Sequence, residues 1–389
     1  MGSEGHARGS AAYRRLTLAM LFAGFSTFSL LYATQPLLPL FAAQYRLSAE
    51  AASLAVSAAT GPLAVGILVA GAVSDRMGRR PLMVVAMLAA AGLTLLAAIA
   101  PGWWALLALR VLTGCALAGV PAVAMAYVAE EVDAASVGAA MGLYIAGSAL
   151  GGMGGRLLAS VISDVASWRW ALAGVGATGL AMGEAFRRLA PASARFTATP
   201  ARAGGPFGDP ALSLLFAEAF LLMGVFVTVY NYAGFRLIAA PYRLSQAAVG
   251  AVFLLYVLGS ASSAWFGALA GRVGRGRVFA LPILLLLAGV ALTAASPLPL
   301  VIAGIGVVTI GFFGAHSIAS AWVGARASGA RGQAAAWYLF FYYAGSSVLG
   351  SAGGVAWSRA GWPGVTAFCL VLGALALGGA VLLARVAAD

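Results

Sequence analysis

Twelve apolar runs of about twenty residues follow one another along the chain, and the short segments between them hold most of the charge. A run of this length is what an α-helix needs to cross the roughly 30 Å hydrocarbon core of a bilayer. Only 9% of the residues are charged and the mean hydropathy is +0.96, a combination that soluble domains rarely show. The sequence therefore predicts an all-α integral membrane protein with twelve transmembrane helices.

The predicted spans form two groups of six around the longest polar segment. The first group is 17–41, 51–73, 82–100, 104–127, 137–163 and 168–186, and the second is 212–239, 247–270, 278–296, 299–324, 333–358 and 362–385. The segment between the groups is rich in Pro, Gly and Ala, which indicates a linker. The predicted organisation is an N-terminal tail (1–16), an N-terminal six-helix bundle (17–186), a cytoplasmic linker (187–211) and a C-terminal six-helix bundle (212–389).

All 23 basic residues are arginines, and most of them lie on one side of the predicted membrane. With the N-terminus inside, sixteen are cytoplasmic, five are outside and two fall within spans. Cytoplasmic loops of membrane proteins carry an excess of positive charge. We therefore expect a multi-pass protein of the inner (cytoplasmic) membrane with both termini in the cytoplasm. The net charge of +12 then needs no nucleic-acid partner to explain it.

The two halves of the chain repeat each other at an offset of 196 to 198 residues. The matched pairs are Gly71 with Gly267, Arg76 with Arg272, Gly78 with Gly274, Arg79 with Arg275, Gly147 with Gly345, Gly152 with Gly350 and Gly155 with Gly353. Because the offset covers six spans, an even number, both copies keep one orientation. We expect two parallel, pseudo-symmetric six-helix bundles. The second copy lacks an acid, since Gly271 stands in the place of Asp75.

The segment between spans 2 and 3, GAVSDRMGRR, places four charges in ten residues. It resembles the G-x-x-x-D-R-x-G-R-R signature of the major facilitator superfamily, and every fixed position is filled by Gly71, Asp75, Arg76, Gly78, Arg79 and Arg80. Gly71 permits close helix contact, and Gly78 permits a tight reversal. The resemblance implies that Asp75 caps span 11 and helps to hold a cytoplasmic gate shut. The alternative is an arginine cluster that serves only to keep this segment on the cytoplasmic side of the membrane. That alternative would explain the arginines, but not the aspartate and the glycines.

Spans 4 and 5 carry two further resemblances to this family. In span 4, RVLTGCALAG resembles R-x-x-Q-G-x-G through Arg110, which either faces the cavity or extends to the outer interface. In span 5, the antiporter motif is matched by Gly138, Gly147, Gly151 and Gly155, while Gly152 and Arg156 replace its proline and its last glycine. The motif implies export, and its departures leave the direction open. Close helix packing is the alternative explanation of these glycines.

Two titratable side chains lie inside spans of the second half. Glu218 in span 7 and His316 in span 10 are both about 10 to 12 Å from the cytoplasmic surface by helix rise. The resemblance implies that spans 1, 4, 7 and 10 line a cavity, so the two side chains are predicted to carry protons, together with Asp75 and Arg110 as a switch. The alternatives are that Glu218 reaches the interface and that His316 makes one structural hydrogen bond.

Other polar and aromatic side chains in the spans indicate a substrate pocket. The predicted members are Tyr32, Gln35, Arg110, Arg156, Tyr230, Asn231, His316, Trp337 and Phe341. Two prolines after Gln35 are expected to loosen span 1. Aromatic side chains in membrane helices also serve as packing or as an interfacial belt, and that interpretation stays open.

The sequence contains no catalytic pair, phosphate-binding loop or metal-ligand cluster, so we predict no enzyme, cofactor or metal. The leading hypothesis is a monomeric secondary transporter that exports a small organic molecule in exchange for protons by alternating access. An alternative is the uptake or exchange of a small organic anion with Arg110 and Arg156 as counter-charges. A second alternative is a membrane sensor or assembly partner that does not transport.

Overall fold

The computed structural model describes residues 5–195, 206–327 and 331–386, and this part of the chain is almost entirely helical. The described residues contain no β-strand, and their one isolated bridge joins His6 to Val132. Ten segments among them are long and apolar enough to cross a membrane. The prediction of an all-α membrane protein is thereby confirmed.

Two compact units divide the described residues. Unit 1 contains residues 5–37 and 65–195, and unit 2 contains residues 38–64, 206–327 and 331–386. Residues 38–64 belong to unit 2 because the first half of the span 2 helix packs there. The Ser57 hydroxyl lies 3.0 Å from the Ser347 carbonyl oxygen and 2.7 Å from the Ser351 hydroxyl. The predicted boundary, by contrast, placed 38–64 in the N-terminal bundle.

The described residues up to 195 contain eight α-helices. They are α1 (Ala11–Tyr32), α2 (Leu38–Tyr45), α3 (Ala49–Met77), α4 (Arg79–Ala98), α5 (Trp103–Leu117), α6 (Pro121–Glu131), α7 (Val137–Val165) and α8 (Trp168–Leu189). Span 1 is interrupted between α1 and α2, as its prolines predicted. The predicted span 4 (104–127) lies within one membrane-length segment, Trp103–Glu131. Its helix breaks after Leu117 and restarts at Pro121, which has no N–H to donate to the Leu117 carbonyl.

The chain after the linker forms the helices of the second group of spans. They are α9 (Pro210–Ile238), α10 (Gln246–Ala251), α11 (Tyr256–Val273), α12 (Arg275–Val278), α13 (Ala280–Thr293), α14 (Leu298–Arg326) and α15 (Arg331–Val386). Non-helical backbone at Ala360 and Gly361 divides α15 at the predicted boundary between spans 11 and 12. Of the predicted linker, residues 196–205 lie outside the described residues.

The turn between α3 and α4 consists of a single residue, Gly78. The helices extend further than the predicted spans 51–73 and 82–100, since α3 runs to Met77 and α4 begins at Arg79. Gly78 has φ +84°, a left-handed value that side chains disfavour, so the predicted tight reversal is confirmed. The close contact expected at Gly71 is not found, because a Cβ atom there would meet nothing within 4 Å in the described chain.

Glycines let α7 pack closely on α1. Added Cβ atoms at Gly147 and Gly151 would run into the backbone of Leu21 and Phe25, and one at Gly155 would run into Ser29. Unit 2 repeats this arrangement on α15 and α9, where Gly345 lies on the Phe220 backbone and Gly353 lies on Thr228. Helices in lipid associate through such close packing, because apolar side chains gain little by leaving one apolar solvent for another.

We expect Gly151→Ala to destabilise the protein and Gly138→Ala to leave it unchanged. The methyl group at position 151 would separate α1 from α7, at a cost of about 1–3 kcal/mol for overpacking. The methyl group at position 138 on the same helix would meet nothing within 4 Å in the described chain. Thermal unfolding of both variants in detergent measures the difference, and equal midpoints would contradict this account of the glycines.

Candidate functional site

Arg79 is the centre of a charge cluster in unit 1. Its Nη1 donates to Asp75 Oδ1 at 2.9 Å and to the Ser74 hydroxyl, while its Nη2 donates to Glu130 Oε1 at 3.2 Å. The Arg79 side chain is buried, and its ion pairs join the end of α3 to the end of α6. Charge-assisted hydrogen bonds of this kind are stronger than neutral ones, and breaking one side of a buried pair is costly.

The other two arginines of the α3–α4 segment differ from Arg79. Arg76 is exposed. Arg80 donates to the Ala190 and Arg187 carbonyl oxygens at 2.9 and 2.6 Å, and therefore holds the end of α8 against α4. Asp75 accepts a hydrogen bond from Arg79 within unit 1. Its predicted contact with span 11 stays a prediction.

Arg110 in α5 lies at the interruption of span 1. Its guanidinium donates to the carbonyl oxygens of Leu30, at 3.0 Å, and of Leu31. Helix α1 ends at Tyr32, and Pro36 four residues later has no N–H for the Tyr32 carbonyl. Arg110 therefore supplies donors where the backbone ladder of α1 runs out. It is fully buried, so in this conformation it acts on α1.

Arg156 in α7 lies beside the same interruption. Its Nε donates to Gln35 Oε1 at 2.6 Å, its Nη1 donates to the Gly152 carbonyl oxygen at 2.6 Å, and its guanidinium carbon lies 4.3 Å from the centre of the Tyr32 ring. The structure thus joins three of the predicted pocket residues, Tyr32, Gln35 and Arg156, in one buried group. Arg156 and Arg110 are both attached to the end of α1.

Glu218 in α9 is the deepest carboxyl group of unit 2. The residue is 2% exposed, and its Oε2 makes no hydrogen bond within the described chain. Its Oε1 occupies the space that a side chain at Gly379 in α15 would fill. Helices enclose the carboxyl group of Glu218. The side chain therefore does not extend to the membrane–water interface, as the alternative interpretation had it.

His316 in α14 is connected to α15 through Tyr338. Its Nδ1 lies 2.9 Å from the Tyr338 hydroxyl, and its ring is tilted against that of Tyr342 with centres 4.9 Å apart. A contact between Glu218 and His316, which their matched depth makes possible, stays a prediction.

The remaining predicted pocket residues of unit 2 belong to aromatic packing. Tyr230 bonds to the Thr309 hydroxyl at 2.8 Å and packs on Phe226, which stacks on Phe312 with centres 4.0 Å apart. Phe312 continues this series to His316 at 5.9 Å. Asn231, next in sequence to Tyr230, is buried.

Trp337 and Phe341 form a separate aromatic group with the start of α9. Phe341 stacks on Phe216 with centres 5.7 Å apart, and Trp337 contacts Phe207 edge to face at 4.9 Å. Both predicted residues are half-buried. Packing therefore accounts for part of their role, as the alternative interpretation expected.

Sequence reasoning missed Glu130 and the contact of Tyr338 with His316. Glu130 was visible as one of two adjacent acids at the end of span 4, where a positive loop would attract it. Tyr338 lies in an aromatic run whose members look equivalent in the sequence. Only the helix packing distinguishes the tyrosine that meets His316.

We expect Arg79→Met to lower stability strongly and Arg76→Met to have little effect. Without Arg79, Asp75 and Glu130 would keep two like charges near each other, and loss of one partner of a buried pair costs about 3–5 kcal/mol. Adding Glu130→Gln should recover part of the loss. Thermal unfolding in detergent measures all three variants, and similar shifts for the two arginine variants would contradict the central role of Arg79.

Comparison with known proteins supports one family. Residues 20–239 match the Major Facilitator Superfamily. The inner membrane transport protein YnfM of Escherichia coli (strain K12) is 44% identical over 382 residues, which cover 95% of this chain and 90% of that protein. The uncharacterized MFS-type transporter YybF of Bacillus subtilis (strain 168) is 40% identical over 365 residues, which cover 92% of this chain and 90% of its own.

A solved structure agrees in fold. The nucleoside transporter NupG superposes with a TM-score of 0.75 at 14% identity, over 96% of this chain and 99% of that one. Its likeness concerns the fold alone. The sequence relatives and the helical architecture together show that this chain is a multi-pass membrane transporter and belongs to the major facilitator superfamily.

Proposed function

We propose that this transporter exports a small organic molecule in exchange for protons. The observation that carries the proposal is Glu218, a carboxyl group enclosed within unit 2 whose Oε2 has no hydrogen-bond donor in the described chain. An ionised carboxylate is expensive to bury without partners, so gain or loss of a proton at Glu218 changes the energy of the surrounding packing. A transporter needs such a difference to couple proton binding to its conformational equilibrium.

Asp75 and Arg110 are proposed to form the conformational switch. Arg110 bonds to the end of α1, so any movement of α1 relative to α5 must change those bonds. Asp75 shares Arg79 with Glu130, and it has one further oxygen with which to cap a helix N-terminus in another state. The export direction rests on the family resemblance of the span 5 glycines.

Glu218→Gln should abolish accumulation that is driven by a pH gradient. Glutamine keeps the size of the side chain but cannot exchange a proton, so downhill exchange of substrate should continue. A thermal-shift screen of organic anions, cations and sugars first supplies the substrate, since a ligand stabilises the state that it binds. Uptake into proteoliposomes with an imposed pH gradient then measures coupling.

The matched control is Glu184→Gln, because Glu184 pairs with arginines at the exposed end of α8. It should leave accumulation unchanged. Unimpaired gradient-driven transport in Glu218→Gln would remove Glu218 from the mechanism. Reversal of the gradient across vesicles of known sidedness tests the direction, and accumulation with the polarity of uptake would contradict export.

A second candidate is the uptake or exchange of a small organic anion. The observation that favours it is the buried guanidinium of Arg156, which Tyr32 and Gln35 hold at the interrupted span 1. Interrupted helices are where many transporters bind substrate. Simple carboxylates should then stabilise the protein against heat, and Arg156→Ala should remove that effect while Arg359→Ala, at an exposed position, keeps it. Indifference of the wild type to carboxylates would dismiss this candidate.

We further propose that the chain works as a monomer in the inner membrane with both termini in the cytoplasm. The distribution of the arginines supports this orientation. The name of the relative YnfM places that protein in the inner membrane. The proposed domain organisation, with two six-span halves joined by a cytoplasmic linker, rests on the internal repeat.

A further inference from the structure

Arginines from three helices surround the last turn of α8. Arg15 of α1 donates to the Arg188 carbonyl oxygen at 3.0 Å, and Arg80 of α4 donates to the Ala190 carbonyl oxygen at 2.9 Å. Arg187 and Arg188 belong to that turn themselves. Arg15, Arg187 and Arg188 are exposed, and we call these three residues the α8 patch. The bond from Arg15 brings cations of α1 and α8 together at one corner of unit 1.

The α8 patch carries more positive charge than its surroundings neutralise. A helix C-terminus favours cations, because its unpaired carbonyl groups are equivalent to about half a negative charge. The acid that pairs with the patch is Glu184, whose Oε2 accepts from Arg187 and whose Oε1 accepts from Arg188, both at 2.6 Å. One carboxylate and the helix end against three guanidinium groups leave an excess of about 1.5 positive charges. Helix capping therefore explains part of the patch and leaves charge for an anion.

Exposed leucines lie next to the α8 patch on the side of the bilayer. Leu18 follows Arg15 by three residues on α1, and Leu180 precedes Arg187 by seven residues on α8. Spacings of three and seven place two residues on one face of a helix, at about 4.5 and 10 Å along its axis. Each helix thus presents a cation at its end and an apolar side chain further into the span.

We propose that the α8 patch binds the headgroup of an anionic phospholipid whose acyl chain lies along α1 and α8, over Leu18 and Leu180. Guanidinium groups donate paired hydrogen bonds to phosphate oxygens, and arginines clustered at the ends of spans attract anionic lipids. The two helices stay in contact further along this seam, since the Ser26 hydroxyl donates to the Gly179 carbonyl oxygen at 3.3 Å. The seam therefore offers charge for the headgroup and an apolar surface for the chain.

The leucines favour a lipid over a free anion. A free phosphate ion would gain charge contacts alone, at exposed positions where water and salt weaken them. The chains of a lipid hold its headgroup at the membrane surface, so the phosphate is already concentrated beside the arginines. The inference concerns one surface of unit 1, and it does not depend on the proposed role of Glu218.

Native mass spectrometry of the protein in detergent tests the proposal with phosphatidylglycerol as the probe. We expect phosphatidylglycerol to bind more tightly than phosphatidylcholine with the same chains. Each basic residue near an anionic lipid surface contributes about a factor of five in affinity, so Arg187→Gln combined with Arg188→Gln should weaken binding roughly 30-fold. The control combines Arg275→Gln with Arg277→Gln in α12, which removes the same charge from unit 2 and should leave binding nearly unchanged.

Glu184→Gln should act in the opposite direction and strengthen phosphatidylglycerol binding about fivefold. It removes the acid that pairs with Arg187 and Arg188, so both guanidinium groups become available to the lipid. An α8 patch that only caps its helix would give no such gain. Because tighter binding does not result from damaged folding, this variant keeps the test decisive where the double variant fails to fold.

Three results would overturn the proposal. Equal weakening by the two double variants would mean that net charge, and not the α8 patch, holds the lipid. Unchanged or weaker binding in Glu184→Gln would show that the patch does not contact the headgroup. Displacement of phosphatidylglycerol by an equal concentration of inorganic phosphate would assign the patch to a free anion.

Discussion

The hydrocarbon core of a bilayer offers no hydrogen bonds, and the rest of this structure depends on that constraint. Every interruption of a spanning helix exposes backbone groups that the protein itself must satisfy. Span 1 is interrupted after Tyr32, and the buried Arg110 donates to the last carbonyl groups of α1. The buried guanidinium therefore has acceptors for its N–H groups, and the carbonyl groups at the end of α1 have donors. Each would be unsatisfied without the other.

The same constraint explains why small residues determine the packing. Since apolar side chains gain little by leaving lipid, helix contacts depend on how closely backbones approach. Gly147 and Gly151 bring α7 onto α1, and Gly345 brings α15 onto α9. These contacts allow side chains from neighbouring helices to meet inside each unit. The Arg156 group at the end of α1 and the Tyr338 contact with His316 both arise in this way.

Sequence reasoning predicted features that depend on local chemistry. Apolar length gave the positions of the spans, prolines gave the interruption of span 1, and Gly78 gave the reversal after α3. Sequence reasoning did not foresee the short break before Pro121, because the run of span 4 remains apolar across it. It also missed the ion pair of Arg79 with Glu130, because residues 51 positions apart meet only after helices pack. For the same reason, Tyr338 could not be distinguished from its aromatic neighbours.

The two units share a scaffold but differ in the charged groups that they bury within their helices. Unit 1 buries the cations Arg110 and Arg156 against the end of α1, whereas unit 2 buries the acid Glu218 against α15. A duplicated scaffold keeps its packing glycines because each is needed for helix contact, while side chains in the space that they create are free to diverge. Glu218 is the divergent buried group on which the proposed proton coupling rests.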